Sequence, residues 1–221
     1  MSSTPSVELH VQVGHGRVPY GSALAWMAHQ TEVVRRGGPE AVALCEHDPV
    51  YTLGARAART ALRVPETALP APLVQADRGG DVTWHGPGQL VVYPVLDVRT
   101  RGLRAGDYVR AIEAVAVETL DAWGIEGFRV AGRPGVWVDG AKIAAVGVRI
   151  DRGVSRHGLA LNVAPDLAWF DPIVPCGIDD AGVTSMACVL GEAPSLPDVA
   201  HAMADAFARV FGVALVEAAV A

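Results

Sequence analysis

Two side chains stand out because of their immediate neighbours in the sequence. Cys176 lies between Pro175 and Gly177, which predicts a tight turn that presents the thiol well. Lys142 is the single cation in the otherwise apolar stretch 141–148. If it faces inward it needs a partner or must lose its charge, because burying an unpaired ammonium is costly. An isolated cysteine is usually structural and a strand lysine usually faces outward. On their neighbours alone, both residues are therefore no more than candidates for chemistry.

A glycine-rich segment and an apolar segment could bind a ligand. Residues 78–89 contain four glycines, a proline, Trp84 and His85 between two strand-like stretches. Glycine-rich backbone lets a ligand approach the main chain and use its N–H groups. An ordinary turn-rich loop and a structural histidine are the alternatives. Residues 157–162 combine small side chains with an apolar run, which indicates either the wall of a narrow slot or a plain core strand.

The elements that must position these residues are mainly strands. Alternating apolar and polar residues over 7–13 predict a half-buried strand. Further strands are predicted over 40–46, 89–98 and 157–163. The dipeptide Asp139-Gly140 predicts a hairpin between 135–138 and 141–150, because a type I′ turn needs positive φ at both central residues.

Three helices are predicted beside these strands. One spans 22–36 and stops at two glycines, the next has Asp107 as its N-cap and ends at Gly124, and the last starts with a cap at Ser195 and closes at Gly212. Strands outnumber helices and a hairpin is present. We therefore expect an α+β fold, with a mixed, partly antiparallel sheet flanked by helices.

Length and charge limit the possible functions. The chain has 221 residues, of which 51% are hydrophobic, and this predicts one packed domain over residues 1–221. Its formal net charge of −6 argues against nucleic acid as a partner. No spacing of cysteine and histidine resembles a zinc site, and no phosphate-binding loop is present. We expect neither a metal nor another cofactor.

The cysteines and the N-terminal residues predict the compartment. Cys45, Cys176 and Cys188 are odd in number and show no paired spacing, which favours a reducing environment. Cys45 and Cys188 lie in apolar contexts and are predicted to be small core residues. The first ten residues do not resemble a signal peptide, and no apolar run reaches the ~18 residues that a membrane span needs. We expect a cytoplasmic protein with no membrane partner.

Taken together, residues 46–54, residues 78–90, residues 135–138 with Lys142, and residues 175–178 resemble the lipoyl(octanoyl) transferase family. They occur in the family's order and extend over most of the chain. The resemblance implies a fold like the catalytic domain of biotin and lipoate ligases. It also implies transfer of an octanoyl group from octanoyl-acyl carrier protein to the ε-amine of a specific lysine, the first step of lipoate assembly. The implied acceptors are the lipoyl domains of 2-oxo acid dehydrogenase E2 subunits and the glycine-cleavage H protein.

The resemblance also assigns roles to residues. Cys176 would carry the acyl group as a thioester, and Lys142 would lower the pKa of that thiol. The substrate would be bound by three segments, made of Arg78, Gly79, Gly80, Asp81, Val82, Thr83, Trp84 and His85, of Ala145, Val146 and Gly147, and of Gly158, Leu159 and Ala160.

Three other functions remain open. An ATP-dependent lipoate–protein ligase of the same fold would form an acyl-adenylate and would need no nucleophilic cysteine. An octanoyl amidotransferase would share the cysteine and differ only in its donor. A non-catalytic module that binds lipoyl domains would not need Cys176 at all.

Overall fold

The computed structural model describes residues 4–55, 57, 61–174 and 181–218, and its regular elements alternate along the chain. The strands are β1 (Ser6–Val11), β2 (Glu40–Cys45), β3 (Val50–Leu53), β4 (Leu73–Gln75), β5 (Thr83–His85), β6 (Gln89–Val95), β7 (Phe128–Val130), β8 (Arg133–Val138), β9 (Ala141–Asp151), β10 (Val154–Asn162) and β11 (Ala214–Glu217). The helices are α1 (Tyr20–Arg35), α2 (Ala105–Asp121), α3 (Met186–Leu190) and α4 (Leu196–Phe211), with short 3-10 helices at Glu66–Ala68 and Leu167–Phe170.

Within the described ranges, eight strands form one mixed sheet in the order β11-β1-β2-β6-β10-β9-β8-β7. The pairs β11–β1 and β1–β2 are parallel, and every pair from β2 to β7 across the sheet is antiparallel. The mixed, partly antiparallel α+β architecture expected from the sequence is confirmed. The long antiparallel strands β6, β10 and β9 lie side by side in the middle of the sheet.

The two faces of the sheet carry different layers. Helices α2 and α4 pack together on one face and bury the larger core, to which Leu44, Ile112 and Phe207 belong. Helix α1 covers part of the other face with Ala23 and Met27. The hydrophobic stabilisation of the fold by these layers comes largely from small aliphatic side chains, which pack closely.

A smaller sheet lies beside α1. In the described chain its order is β4-β3-β5, with β3 parallel to β4 and antiparallel to β5. It has a core of its own, in which the large side chains of Tyr51, Trp84 and Phe170 are buried. This small sheet holds the end of the glycine-rich segment.

The hairpin prediction is confirmed in detail. Asp139 has φ of 48° and Gly140 has φ of 80°, as a type I′ turn requires, and the turn joins β8 to β9. The cap of the last helix is also confirmed, because the Ser195 side chain accepts a hydrogen bond from the backbone N–H of Asp198. Gly212 then closes α4 with φ of 62°.

Two local predictions are wrong. Helix α2 begins at Ala105 with Arg104 as its N-cap. Asp107 lies in the first turn, where its carboxylate interacts favourably with the positive end of the helix dipole. Cys188 is exposed rather than part of the core. It lies on the short helix α3, whose buried residue is Met186. Cys45 is buried in β2, as predicted.

Candidate active site

A pocket lies between the middle of the large sheet and the glycine-rich segment. Its floor consists of side chains that share one face of β6, β10 and β9. The strand register pairs Gly147 with Gly158, Ala145 with Ala160, Ala160 with Val91, and Asn162 with Gln89. Glycine and alanine therefore leave a shallow apolar channel across adjacent strands. At one end of this floor stands the amide pair, Gln89 and Asn162.

The glycines of the floor are required by close backbone approaches. A Cβ at Gly158 would lie 2.1 Å from the backbone oxygen of Val92, and a Cβ at Gly147 would lie 2.9 Å from that of Gly79. The glycine-rich segment rests directly on β9, because the Gly79 N–H donates to the Val148 oxygen at 2.9 Å. Because these glycines have no side chain, the floor is shallow and the glycine-rich segment can lie directly above it.

The roof of the pocket is built around Arg78, which is 7% exposed. Its guanidinium donates hydrogen bonds to the backbone oxygens of Thr52 (2.6 Å), Gly79 (3.0 Å) and Asp81 (2.8 Å), and to Thr52 Oγ1 (2.7 Å). A planar group with several fixed donors can satisfy these acceptors at once. Arg78 therefore folds the glycine-rich segment around its own side chain and fastens it to β3.

Strand β5 divides the remaining roof residues between two environments. Thr83 and His85 line the pocket. Trp84, between them, points into the core of the small sheet and stacks on Trp169 with ring centroids 5.4 Å apart. Val82 belongs to the same core and does not line the pocket.

The structure places Lys142 inside the protein, with 5% of its surface exposed. Its ammonium lies 4.9 Å from the centroid of the Trp137 ring, a favourable cation–π arrangement. Lys142 also borders a small cavity, which adjoins the pocket through Thr83 and Ala145. A buried ammonium therefore lies at the amide-pair end of the apolar floor.

Cys176 lies outside the described residues, and so does the rest of 175–180. Backbone hydrogen bonds hold the described chain on both sides of this segment. Val174 donates its N–H to the Ala61 oxygen at 2.8 Å. On the other side, the Lys142 N–H donates to the Gly182 oxygen and the Thr184 N–H donates to the Lys142 oxygen, both at 2.9 Å. The chain that continues from Cys176 therefore arrives beside the backbone of Lys142.

Two buried histidines near the pocket differ in their surroundings. Burial lowers the pKa of His85 to about 3, an effect to which the nearby His47 adds and which the Gln89 side chain opposes. His47 was not identified from the sequence. Its Nδ1 lies 2.6 Å from the Val18 oxygen and its Nε2 lies 2.7 Å from the Tyr93 hydroxyl. Both rings are therefore neutral near pH 7 and act as hydrogen-bonding groups.

A third histidine closes the opposite end of the pocket from the amide pair. His157 has φ of 57° and is 2% exposed, and its Nε2 lies 2.7 Å from an Asp77 carboxylate oxygen. Burial alone would raise the pKa of Asp77, but hydrogen bonds from Arg156 and His157 outweigh it and lower that pKa to about 2. The strained backbone at His157 places this ring under the roof, next to Gly158.

All residues of the other two predicted segments border the pocket. Ala145, Val146 and Gly147 border the pocket, as do Gly158, Leu159 and Ala160. Among the described residues, no group of three or more His, Cys, Asp or Glu side chains is arranged to hold a metal ion. No helix in the described ranges is long and apolar enough to cross a membrane.

Comparison of the sequence with protein families gives a match to the lipoyl protein ligase A/B catalytic domain over residues 19–208. Relatives called octanoyltransferase are similar over most of the chain. The Thermobifida fusca protein is 42% identical over 92% of this chain and 89% of its own length. The Bradyrhizobium protein is 45% identical over 91% and 86%, and that of Chloroflexus aurantiacus is 48% identical over 76% and 78%.

Solved structures with the same fold are lipoate ligases. A lipoate-protein ligase A bound with ATP superimposes with a TM-score of 0.76 at 14% identity, covering 98% of this chain and 90% of the ligase. An archaeal bipartite lipoate ligase from Thermoplasma acidophilum gives 0.73, also at 14% identity, over 99% and 88%. At this identity the likeness shows the fold alone. The sequence match, by contrast, shows the family. The chain belongs to the octanoyltransferases, and residues 19–208 match the lipoyl protein ligase A/B catalytic domain.

Proposed function

We propose that this chain transfers an octanoyl group from octanoyl-acyl carrier protein to the ε-amine of a specific lysine on lipoyl-domain proteins, through a thioester on Cys176. The observation that carries the proposal is the apolar floor of Gly147, Gly158, Ala145 and Ala160, which ends beside the buried Lys142. A channel floor made of glycine and alanine suits a saturated acyl chain. Each buried methylene contributes ~0.8 kcal/mol, so a medium chain gains affinity until the channel ends.

The first half-reaction exchanges one thioester for another. The Cys176 thiolate attacks the carbonyl carbon of the donor thioester, and the bond to the carrier sulfur breaks. The carrier leaves as a thiol with a proton that the ammonium of Lys142 donates, so Lys142 becomes a neutral amine. A free thiol with a pKa of about 8.5 is only a few per cent thiolate near pH 7, so the ammonium of Lys142 favours the reactive form. The step is close to isoenergetic, and no nucleotide is required.

The second half-reaction forms the product amide. The neutral amine of the acceptor lysine attacks the acyl-Cys176 thioester, the C–S bond breaks, and Cys176 leaves as a thiolate. The neutral Lys142 takes the proton that the amine loses and becomes an ammonium again, a role supported by its position beside the cavity next to the floor. Conversion of a thioester into an amide is downhill, which drives the whole transfer.

Intact mass spectrometry tests the covalent step. After the protein is mixed with octanoyl-acyl carrier protein, we expect a gain of one octanoyl group that hydroxylamine removes and that added lipoyl domain discharges. Cys188→Ser is the matched control, because Cys188 is an exposed thiol away from the pocket. It should acylate like the wild type, whereas Cys176→Ser should neither acylate nor turn over. Full activity of Cys176→Ala would overturn the mechanism.

Assays with other substrates distinguish the three alternative functions. An ATP-dependent ligase would release pyrophosphate with free octanoate as substrate, and an amidotransferase would accept octanoyl from an octanoylated lipoyl protein. We expect neither reaction at the rate seen with octanoyl-acyl carrier protein. A non-catalytic binding module would keep its full activity after loss of Cys176.

A further inference from the structure

A directed chain of hydrogen bonds runs under the pocket from the glycine-rich segment to the extended segment beside Lys142. His85 Nδ1 lies 2.7 Å from Gln89 Oε1, Gln89 Nε2 lies 3.0 Å from Asn162 Oδ1, and Asn162 Nδ2 lies 3.0 Å from the Thr184 backbone oxygen. Gln89 and Asn162 are direct cross-strand partners of β6 and β10. Each is at most 5% exposed, so these polar atoms depend on one another.

The fixed end of this chain sets the direction of every bond in it. The Thr184 carbonyl can only accept, so Asn162 must offer it the NH₂ group and must turn its own oxygen towards Gln89. Gln89 then donates through Nε2 and turns its oxygen towards His85. An amide oxygen can only accept, so the His85 Nδ1 must carry the proton. The orientation of both amides follows from the network and needs no other assignment.

This chain of hydrogen bonds therefore selects one tautomer of His85. With the proton on Nδ1, the other ring nitrogen, Nε2, keeps a free lone pair. This is the less common tautomer of a free neutral imidazole, so the protein must hold it by the bond to Gln89. His85 lines the pocket, and burial keeps the ring neutral. The pocket is thus given a hydrogen-bond acceptor of defined orientation and not a cation.

The other end of this chain of hydrogen bonds contacts the short extended segment 182–184, which forms an isolated parallel bridge to β9. Residues 182–184 run parallel to Lys142, joined to it by backbone hydrogen bonds at Gly182 and Thr184. The Thr184 oxygen points away from this ladder to Asn162. Asn162 therefore ties this segment to β10 as well as to β9, and so fixes its position against the cavity that holds the ammonium.

We propose that Gln89 and Asn162 are positioning residues of the transfer site, which hold His85 as its Nδ1–H tautomer and hold the 182–184 segment against Lys142. The proposal rests on the proposed function for its kinetic consequence only. Neither amide touches the reacting atoms in this account. Their loss should slow the chemical step and leave donor binding nearly unchanged, because small misplacements of reacting groups cost rate more than affinity.

Long-range ¹H–¹⁵N NMR of the wild-type protein tests the tautomer without any reaction. We expect the His85 signals, assigned by their loss in His85→Gln, to show a protonated Nδ1 and a bare Nε2. In Gln89→Leu the ring should change to the Nε2–H form or a mixture. A wild-type spectrum with the proton on Nε2 would overturn the proposal, whether or not the protein transfers octanoyl groups.

Kinetics of Gln89→Leu and Asn162→Asp test the positioning role. The aspartate variant is nearly isosteric but presents a carboxylate oxygen to the Thr184 carbonyl, which repels it. We expect kcat to fall ~10- to 100-fold in each variant, with the donor KM changed less than about twofold. Gln30→Leu is the matched control, because Gln30 is also a buried glutamine, whose Nε2 donates to the Pro39 oxygen far from the pocket.

The control separates positioning from general destabilisation. Gln30→Leu should lower thermal stability by a similar amount and leave both kcat and the tautomer of His85 as in the wild type. If Gln30→Leu lowers kcat as much as Gln89→Leu, the role of the amide pair is merely structural and the proposal fails. Absence of transfer by the wild type would refute the proposed function, while the NMR result would still decide the tautomer.

Discussion

Ala145 and Ala160 face each other across the ladder between β9 and β10, and both border the pocket beneath the glycine-rich segment. We predict that Ala145→Leu obstructs the channel at its Lys142 end, because Ala145 also borders the cavity beside Lys142. Every acyl chain must occupy this part of the channel when its carbonyl lies beside Lys142. The kcat/KM should therefore fall at least ~10-fold, or ~1.4 kcal/mol, for butanoyl and octanoyl donors alike. A series of acyl donors of increasing length measures it.

Gly147→Val provides the contrast for that series, because Gly147 lies further than Ala145 from the Lys142 end of the floor. Its Cβ would lie 2.9 Å from the Gly79 oxygen, in space that the far end of an octanoyl chain would fill. At ~0.8 kcal/mol per methylene, octanoyl transfer should lose more than butanoyl transfer. An equal loss for both donors in Gly147→Val would count against the channel.

The buried ammonium of Lys142 leads to a second prediction. Lys142→Ala should lower the single-turnover rate ~100- to 10,000-fold, the usual range for removal of a general acid or base. Lys142→Arg should not restore it, because arginine keeps its proton near neutral pH. Rescue by arginine would show that positive charge alone is sufficient. Trp137→Leu removes the aromatic face 4.9 Å from the ammonium and leaves a cavity at a buried position, so it should cost ~2–5 kcal/mol of stability.

Acid sensitivity follows from the burial of His85. Its pKa is lowered from 6.5 to about 3, chiefly by burial. Between these values the unfolded chain binds a proton on this imidazole and the folded protein does not, so stability falls as the pH is lowered from 6.5 towards 3. His85 should contribute up to ~1.4 kcal/mol per pH unit over this window. Urea unfolding at pH 7 and at pH 5 should show a smaller difference for His85→Asn than for the wild type.

Features that depend on a few adjacent residues could be predicted from the sequence. The turn at Asp139-Gly140 and the cap at Ser195 are local, and both are present as predicted. The Asp107 cap was wrong because the helix starts earlier, at Ala105, where the sequence has no polar cap. The small sheet was missed since β4 and β5 have three residues each, too few to show a period.

Site residues that depend on strand register could not be predicted. Gln89 and Asn162 are far apart in the sequence, and each resembles the ordinary polar end of an apolar strand. Their pairing follows from the alignment of β6 with β10. His47 was missed for the same reason, because its partner Tyr93 comes from another strand. The glycine-rich segment and Lys142 were identified because glycine clusters and a cation in an apolar strand are visible in one stretch of sequence.

The last prediction concerns Arg78, whose guanidinium satisfies backbone oxygens of Thr52, Gly79 and Asp81 inside the roof. Arg78→Lys keeps the charge but cannot reach these acceptors together, and each buried acceptor that is left unsatisfied costs ~1–3 kcal/mol. We expect the free energy of unfolding to fall by ~2–4 kcal/mol in urea titrations. Arg36→Lys, at an exposed position after α1, is the matched control and should change it by less than ~0.5 kcal/mol. Transfer should also be slower in Arg78→Lys for every acyl length, because the roof loses its internal support. If Arg78→Lys were as stable and as active as Arg36→Lys, the guanidinium would not be what holds the glycine-rich segment in place.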